Sequence, residues 1–156
     1  MKRFEFRLEP VLRLRDQTEK TRQREFAQAV QEVRRCEGDI GHVLGEIEDS
    51  REGLRQAEMR EIDPWQLVFH RRYLNHLEKQ LHGLRGELQA LARKAEAKRL
   101  ELVKASKEKK SLEKLKGKQR GEYEYEAARE EQKMFDEIGG VFNERGKEAR
   151  AEAARG

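Results

Sequence analysis

The sequence contains few of the residues that interrupt helices or build broad hydrophobic cores. It has two prolines and one cysteine in 156 residues, so long helices are uninterrupted and no disulfide can form within the chain. Aromatic residues make up 6% of the chain and apolar residues 35%, which is too little for a broad globular core. No apolar run is long enough to span a bilayer, and the basic N-terminus lacks the apolar block of a secretory signal. We therefore expect a cytoplasmic protein that does not fold around a large core.

Arrangements of residues that support catalysis or metal binding are also missing. Three of the four histidines, His70, His76 and His82, are six residues apart, which spreads them around a helix, whereas metal-binding pairs lie four apart on one face. The sequence has no glycine-rich phosphate-binding loop and no nucleophile motif. We therefore predict that the protein is not an enzyme and holds neither a metal nor a cofactor.

The dominant feature of the sequence is a heptad repeat of apolar residues that stops at Asp63-Pro64 and then resumes. The first stripe consists of Phe26, Ala29, Val33, Cys36, Ile40, Val43, Ile47, Ser50, Leu54 and Ala57. The second stripe consists of Leu67, His70, Leu74, Leu77, Leu81, Leu84, Leu88, Leu91 and Ala95. Such a stripe covers one narrow side of a helix and needs a facing helix. The two stripes predict an all-α fold in which two long helices form an antiparallel coiled-coil hairpin.

The turn between the stripes fixes the expected register. If the turn centres on residue 62, the numbers of facing residues total 124, so that Ile40 faces Leu84. Every apolar layer of the first stripe between positions 33 and 50 then meets an apolar layer of the second. The same register places Arg15 opposite Lys109, two like charges, so we expect looser packing toward the open end of the hairpin.

A single coiled-coil domain followed by a short tail accounts for the whole chain. The predicted bounds are 1–142 for the domain, about 5–60 for helix 1, about 60–63 for the turn, about 64–138 for helix 2 and 143–156 for a mobile tail. Asp63 can cap helix 2, and Pro64 suits its first helical position. Gly139-Gly140 is expected to end helix 2. Gly117 and Gly121 are further points at which this helix can be interrupted.

An aromatic ridge lies beside the second stripe, near the turn. Trp65, Phe69 and Tyr73 are four residues apart, which places them on one face of helix 2. One interpretation is that partners bind this ridge, because exposed apolar patches on charged proteins mark interaction sites. The other is that the rings wrap the turn and pack against Met59 and Ile62.

Charge is distributed unevenly along helix 2. Between Arg93 and Arg120 twelve basic residues stand against four acidic ones, and from Glu122 to Glu137 seven acidic residues stand against two basic ones. Basic segments bind nucleic acid or anionic membranes in some proteins. Because no aromatic stacking residues are interspersed among these lysines, a solvated helix face is the favoured interpretation. A basic hairpin that binds nucleic acid or anionic membrane remains the alternative.

Several short motifs occur in a characteristic order along most of the chain. They are Phe4-Glu-Phe-Arg-Leu-Glu-Pro-Val-Leu-Arg-Leu-Arg15, Asp63-Pro-Trp65, Arg72-Tyr-Leu74, Leu77-Glu-Lys79, Leu112-Glu-Lys-Leu-Lys116, Glu131-Gln-Lys133 and Asp136-Glu137. In this order and spacing the sequence resembles the FliJ family, the small cytoplasmic component of the bacterial flagellar type III export apparatus. Gly117 and Gly121 depart from the charged residues typical of that family.

The resemblance implies a coiled coil similar to the central stalk of rotary ATPases. The partners it implies are an export ATPase (FliI-like), an export gate protein (FlhA-like) and export chaperones, on the cytoplasmic side of the cell membrane. The implied gate-contacting residues are Phe69, Tyr73, Leu77 and Gln80. The residues implied to enter the ATPase ring are Arg13, Arg15, Leu112, Lys114 and Lys116. Such a stalk is expected to be a monomer in isolation and to have no small-molecule substrate.

Overall fold

The computed structural model describes residues 3–61 and 63–154, and these residues form two long helices. Helix α1 spans Glu9–Glu58 and helix α2 spans Pro64–Ala153. The helices pack against each other, and the described part of the chain contains no strand. The predicted all-α helical hairpin is therefore confirmed. No helix among the described residues is both long enough and apolar enough to cross a membrane.

The start of α2 follows from Asp63, which precedes the helix, and from Pro64, its first residue. The Asp63 side chain accepts a hydrogen bond from the backbone N–H of Trp65 at 3.1 Å, and its carbonyl accepts one from Gln66 at 3.0 Å. Pro64 is the first helical residue, where its missing N–H costs nothing. The predicted cap is therefore present, whereas the predicted centre of the turn, residue 62, lies outside the described residues.

The observed end of α2 differs from the predicted one. The helix passes through Gly139-Gly140 and continues to Ala153, so the predicted end at residue 138 is wrong. Gly117 and Gly121 also lie within the helix. Glycine ends a helix when it adopts a left-handed conformation, and no described residue has a positive φ. Four helical glycines cost up to about 1 kcal/mol each, which does not by itself interrupt the helix. The mobility of residues 143–156 stays a prediction.

The chain divides into two compact units, of which the larger is Arg15–Lys107. Its core consists of the buried side chains Val43, Ile47, Leu77 and Leu81, with Ile40, Leu74 and Leu84 packed against them. All positions of the two stripes are buried or half-buried. These four buried residues are ones that the predicted register brings together, Val43 with Leu81 and Ile47 with Leu77. Burial of large aliphatic side chains contributes about 1.5–3 kcal/mol each, so the seam is the main source of stability.

Within the same unit an ionic cluster lies just before Phe26, the first residue of the α1 stripe. We call Arg22, Glu25, Lys98 and Glu101 the ionic quartet. Arg22 contacts Glu25 at 2.8 Å and Glu101 at 3.0 Å, while Lys98 contacts the same two carboxylates at 3.3 and 3.2 Å. Two of these four contacts join α1 to α2. Opposite charges therefore link the two helices at this layer.

The second unit consists of Met1–Leu14 with Glu108–Gly156. Here the segment that precedes α1 packs against α2. The ring of Phe4 lies 5.6 Å from that of Tyr123, and Phe6 is only 8% exposed. Lys116 contacts Glu9 at 2.7 Å, and its ammonium lies 6.0 Å from the centre of the Phe6 ring. Residues before α1 therefore belong to the folded structure of this unit.

Candidate partner-binding surfaces

A groove runs between α1 and α2 within the unit Arg15–Lys107. It has a volume of about 550 Å³, and the residues that line it are Glu46, Asp49, Ser50, Gly53, Phe69, His70 and Tyr73. The four α1 residues occupy positions i, i+3, i+4 and i+7, so they lie on one side of that helix. Ser50 and His70 are half-buried members of the stripes, and they form the floor of the groove. The groove therefore combines two aromatic rings with polar side chains in one concave surface.

The aromatic ridge supplies one wall of this groove. Phe69 is 69% exposed and Tyr73 is 41% exposed, and Trp65 is 79% exposed one turn earlier in α2. Met59 is 88% exposed as well, so it does not cover the rings. The predicted packing against Ile62 falls outside the described residues. Exposed rings in a row favour the interpretation in which a partner covers them.

The four predicted gate-contacting residues have different environments. Phe69 and Tyr73 line the groove, whereas Leu77 is 2% exposed and lies in the core beside Ile47. Leu77 therefore supports the packing of the helices and is not available for contact with a partner. Gln80 is exposed but does not line the groove. Its contact with a partner stays a prediction.

Sequence reasoning missed the α1 wall of the groove. Glu46, Asp49 and Gly53 have no distinctive motif, and their role follows only from the pairing of α1 with α2. The register offered a signal, because it places positions 46–53 opposite positions 71–78, next to the aromatic ridge. The acidic residues across from the rings could have been found in that way.

The predicted ATPase-contacting residues differ in how much surface they offer. Arg13 and Lys114 are exposed, whereas Leu112 and Lys116 are half-buried in the unit that contains the N-terminus. Lys116 is already engaged by Glu9 and Phe6, so only part of its surface is available. Arg15 is half-buried and belongs to the other unit. Contact of these five residues with the ATPase ring stays a prediction.

The basic segment between Arg93 and Arg120 is partly neutralised by carboxylates. At least six of its basic side chains lie within 4 Å of a glutamate. They are Lys94, Lys98, Arg99, Lys109, Lys116 and Arg120. Pairing of this kind lowers the positive potential that a nucleic acid or an anionic membrane would meet. It favours the interpretation of this segment as a solvated helix face.

The ionic quartet also perturbs the titration of its members. Hydrogen bonds from Arg22 and then from Lys98 lower the pKa of Glu25 below its ordinary value. Hydrogen bonds to Glu101 and Glu25 raise the pKa of Lys98. Both shifts hold the cluster in its charged form near neutral pH.

Among the described residues no group of three metal-ligating side chains comes together.

Comparison with known proteins identifies the family. The family model described as flagellar FliJ protein matches residues 4–146, which is most of the 156-residue chain. The match includes both helices over nearly their whole length and the N-terminal segment that carries Phe4 and Phe6. Neither a curated protein nor a solved structure matches the chain. A family match that spans the seam, the groove and the N-terminal segment leads to one conclusion: the chain belongs to the FliJ family of flagellar export proteins.

Proposed function

We propose that this flagellar export protein acts as a stalk-like coiled coil, which couples the ring of the export ATPase to the export gate and handles substrate chaperones. The observation that carries the proposal is the continuous family match over residues 4–146. The seam between α1 and α2 supports it, because a zipped helical pair resists bending and can transmit force between partners. The FliJ family is a non-catalytic component of export, and the absence of enzymatic activity in this chain is part of the proposal.

In this proposal the two compact units serve different partners. The groove with Phe69 and Tyr73 lies toward the turn and faces the gate protein. Arg13, Lys114 and the surface around Leu112 face the ATPase ring. The protein resides in the cytoplasm, peripheral to the membrane, and is a monomer when isolated. Exposed arginine and lysine side chains are suited to contacts with a ring because they are long and form ion pairs that can be exchanged.

Charge reversal tests the ATPase contact. Lys114→Glu inverts an exposed charge, and we expect it to reduce stimulation of the export ATPase at least threefold. Lys79→Glu, which inverts another exposed lysine of α2, is the matched control and should retain full stimulation. Circular dichroism checks that both variants remain helical. Equal stimulation by Lys114→Glu and the unmodified protein at every molar ratio would remove the ATPase contact from the proposal.

Aromatic truncation tests the gate contact. The double variant Phe69→Ala with Tyr73→Ala should lose at least tenfold in affinity for the purified cytoplasmic part of the gate protein, because exposed aromatic anchors dominate protein interfaces. Tyr125→Ala is the matched control, since Tyr125 is 70% exposed on α2 but does not line the groove. Binding is measured by isothermal titration calorimetry. An unchanged affinity in the double variant would contradict the assignment of this end to the gate.

A further inference from the structure

The groove has two chemically different walls. On the α2 side stand the rings of Phe69 and Tyr73, with 69% and 41% of their surfaces exposed. On the α1 side stand the carboxylates of Glu46 and Asp49, which are three residues apart on the same helix face. A groove with aromatic groups on one side and negative charges on the other selects for partners with matching chemistry.

The carboxylates on the α1 wall remain available to a partner. Glu46 lies 3.3 Å from Nε2 of His42, and Asp49 has no ion-pair partner among the residues that the structure describes. Elsewhere along the hairpin, carboxylates near the seam reach across to a base on the other helix, as Glu32 does to Lys94 at 2.8 Å. The α2 residues that line the groove include no lysine or arginine. The base that lines the groove on the α2 side is His70, and no lysine or arginine among the lining residues faces the two carboxylates.

Gly53 lines the groove and contributes no side chain to it. A Cβ atom built on Gly53 would meet no atom within 4 Å, so nothing in the packing of the hairpin requires glycine at this position. Its place within a helix costs up to about 1 kcal/mol relative to alanine. Because Gly53 lines the groove and its Cβ position is unobstructed, we expect a larger side chain here to occupy part of the groove. The position thus offers a way to fill the groove without disturbing the seam.

We propose that the groove binds a partner segment in which an apolar side chain stands next to an arginine or lysine. The apolar group packs on the rings of Phe69 and Tyr73, while the basic group forms ion pairs with Glu46 and Asp49. This inference rests on the proposed function for the identity of the partner, the gate protein, and adds the chemical nature of the segment that docks. Arginine fits best, because its planar guanidinium both stacks on aromatic rings and hydrogen-bonds to carboxylates.

Short peptides test the chemistry of the groove independently of any export partner. The probe is acetyl-Gly-Trp-Arg-Gly-amide, and the comparison peptides replace Arg with Glu or Trp with Ala. Each is titrated into the full-length, ¹⁵N-labelled chain and followed by the shifts of backbone amide signals. We expect shifts at residues 46–53 and 69–73, with an affinity for the probe at least fivefold higher than for either comparison peptide. Raising the salt concentration should weaken binding of the probe.

Variants locate the binding site and its charge. Gly53→Leu fills the groove, and the pair Glu46→Gln with Asp49→Asn removes the negative wall; each should lower the affinity for the probe at least fivefold. Gly38→Leu is the matched control, because Gly38 is also a helical, exposed glycine of α1 with no atom within 4 Å of a built Cβ, and it does not line the groove. This control should bind the probe normally.

The outcomes distinguish the inference about the chemistry of the groove from the proposed contact with the gate protein. If the probe shifts no groove amides at 10 mM, or if the Glu peptide binds as tightly as the Arg peptide, the inference about the groove is overturned. If the probe binds as expected and Gly53→Leu also abolishes binding of the gate protein, both proposals are supported. If the probe binds as expected but Gly53→Leu leaves binding of the gate protein unchanged, the chemistry of the groove stands and its assignment to the gate is overturned.

Discussion

Cys36 shows how the seam controls the chemistry of a single side chain. The thiol is 4% exposed and donates a hydrogen bond to the Leu84 carbonyl at 3.5 Å. Burial raises the pKa of the Cys36 thiol, and the nearby carboxylates of Glu87, Asp39 and Glu37 raise it further. Because the thiolate is the reactive form, the folded chain should protect this cysteine from alkylation and oxidation.

The first prediction concerns the reactivity of this thiol. Cys36 should react with an aromatic disulfide reagent at pH 7.5 at least ten times more slowly in the folded chain than in the guanidinium-unfolded chain. Since the folded pKa is raised, the stabilising effect of the neutral thiol is complete below the unfolded pKa of about 8.5 and is lost as the pH rises through the folded pKa. The variant Cys36→Ala should not lose stability in this way as the pH rises. Equal reaction rates in the two states would show that the seam opens freely at this layer.

The second prediction concerns Glu25 in the ionic quartet. Its lowered pKa stabilises the fold at pH values above the unfolded pKa of about 4.3, and this contribution is lost as the pH falls through the folded pKa. Glu25→Gln should therefore lose less stability than the unmodified protein between pH 6 and pH 3. Urea denaturation at several pH values measures the difference, with Glu126→Gln, an exposed carboxylate outside the quartet, as the control. Parallel losses in Glu25→Gln and the unmodified protein would contradict the prediction.

At the scale of the helices, the side chains that contribute most to stability lie on one face of each helix. The stripe residues of α2 between positions 64 and 95 are buried or half-buried, and every other described position in that range is exposed. Removing a buried leucine leaves a cavity in addition to the lost transfer free energy, whereas an exposed leucine leaves none. The two faces of α2 should therefore respond very differently to the same truncation.

The third prediction compares two leucines of α2. Leu77→Ala should lower the free energy of unfolding by about 2–5 kcal/mol, because Leu77 is 2% exposed and contacts the core of both helices. Leu100→Ala, at a position that is 55% exposed, should change it by no more than about 0.5 kcal/mol. Thermal and urea unfolding measure both values. Similar losses in the two variants would mean that the seam does not follow the predicted stripe.

The features that follow from local sequence patterns could be predicted, whereas those that depend on the three-dimensional environment of a residue could not. The stripes and the cap at Asp63 could be predicted because their signals are local. The end of α2 could not, because glycine ends a helix only through a backbone conformation that composition does not specify. Of the residues that the resemblance implied for the gate contact, Phe69 and Tyr73 line the groove, whereas Leu77 belongs to the second stripe, whose periodicity places it in the core and not on the surface.

The contacts of the N-terminal segment also escaped sequence analysis. Phe4 and Phe6 precede α1 and follow no heptad pattern, so nothing in the sequence placed them against Tyr123 and Lys116. The ion pair between Glu9 and Lys116 joins residues more than a hundred positions apart. The predicted register places Glu9 opposite residue 115, next to Lys116, but a register alone does not specify which side chains pair.

At the scale of the molecule, the seam determines how the chain associates with copies of itself. Within the unit Arg15–Lys107 the stripe of α1 is covered by α2 of the same chain, so neither stripe is left uncovered among the described residues of this unit. An unpaired heptad stripe would instead drive dimerisation. The net charge of +4 adds a weak repulsion between chains.

The fourth prediction is that the isolated protein is a monomer. Sedimentation equilibrium should give the mass of one chain at concentrations from 5 to 100 µM, without dependence on loading concentration. Leu77→Ala serves as a control that weakens the seam, and it should lower stability without producing a dimer at the lower concentrations. A mass of two chains at 5 µM for the unmodified protein would favour an intermolecular coiled coil over the hairpin.

The ionic quartet restricts how the two helices can move past each other. Leucines that recur every seven residues would meet leucines again after a slip of one heptad, so an apolar seam alone tolerates several alignments. A slip of seven residues in one direction would set Arg22 against Lys94 and Glu25 against Leu91. This slip would break both ion pairs that join the helices and bring two like charges together. A slip in the other direction would instead offer Glu108 to Arg22 and Glu32 to Lys98. The quartet therefore opposes sliding of the two helices in one direction only.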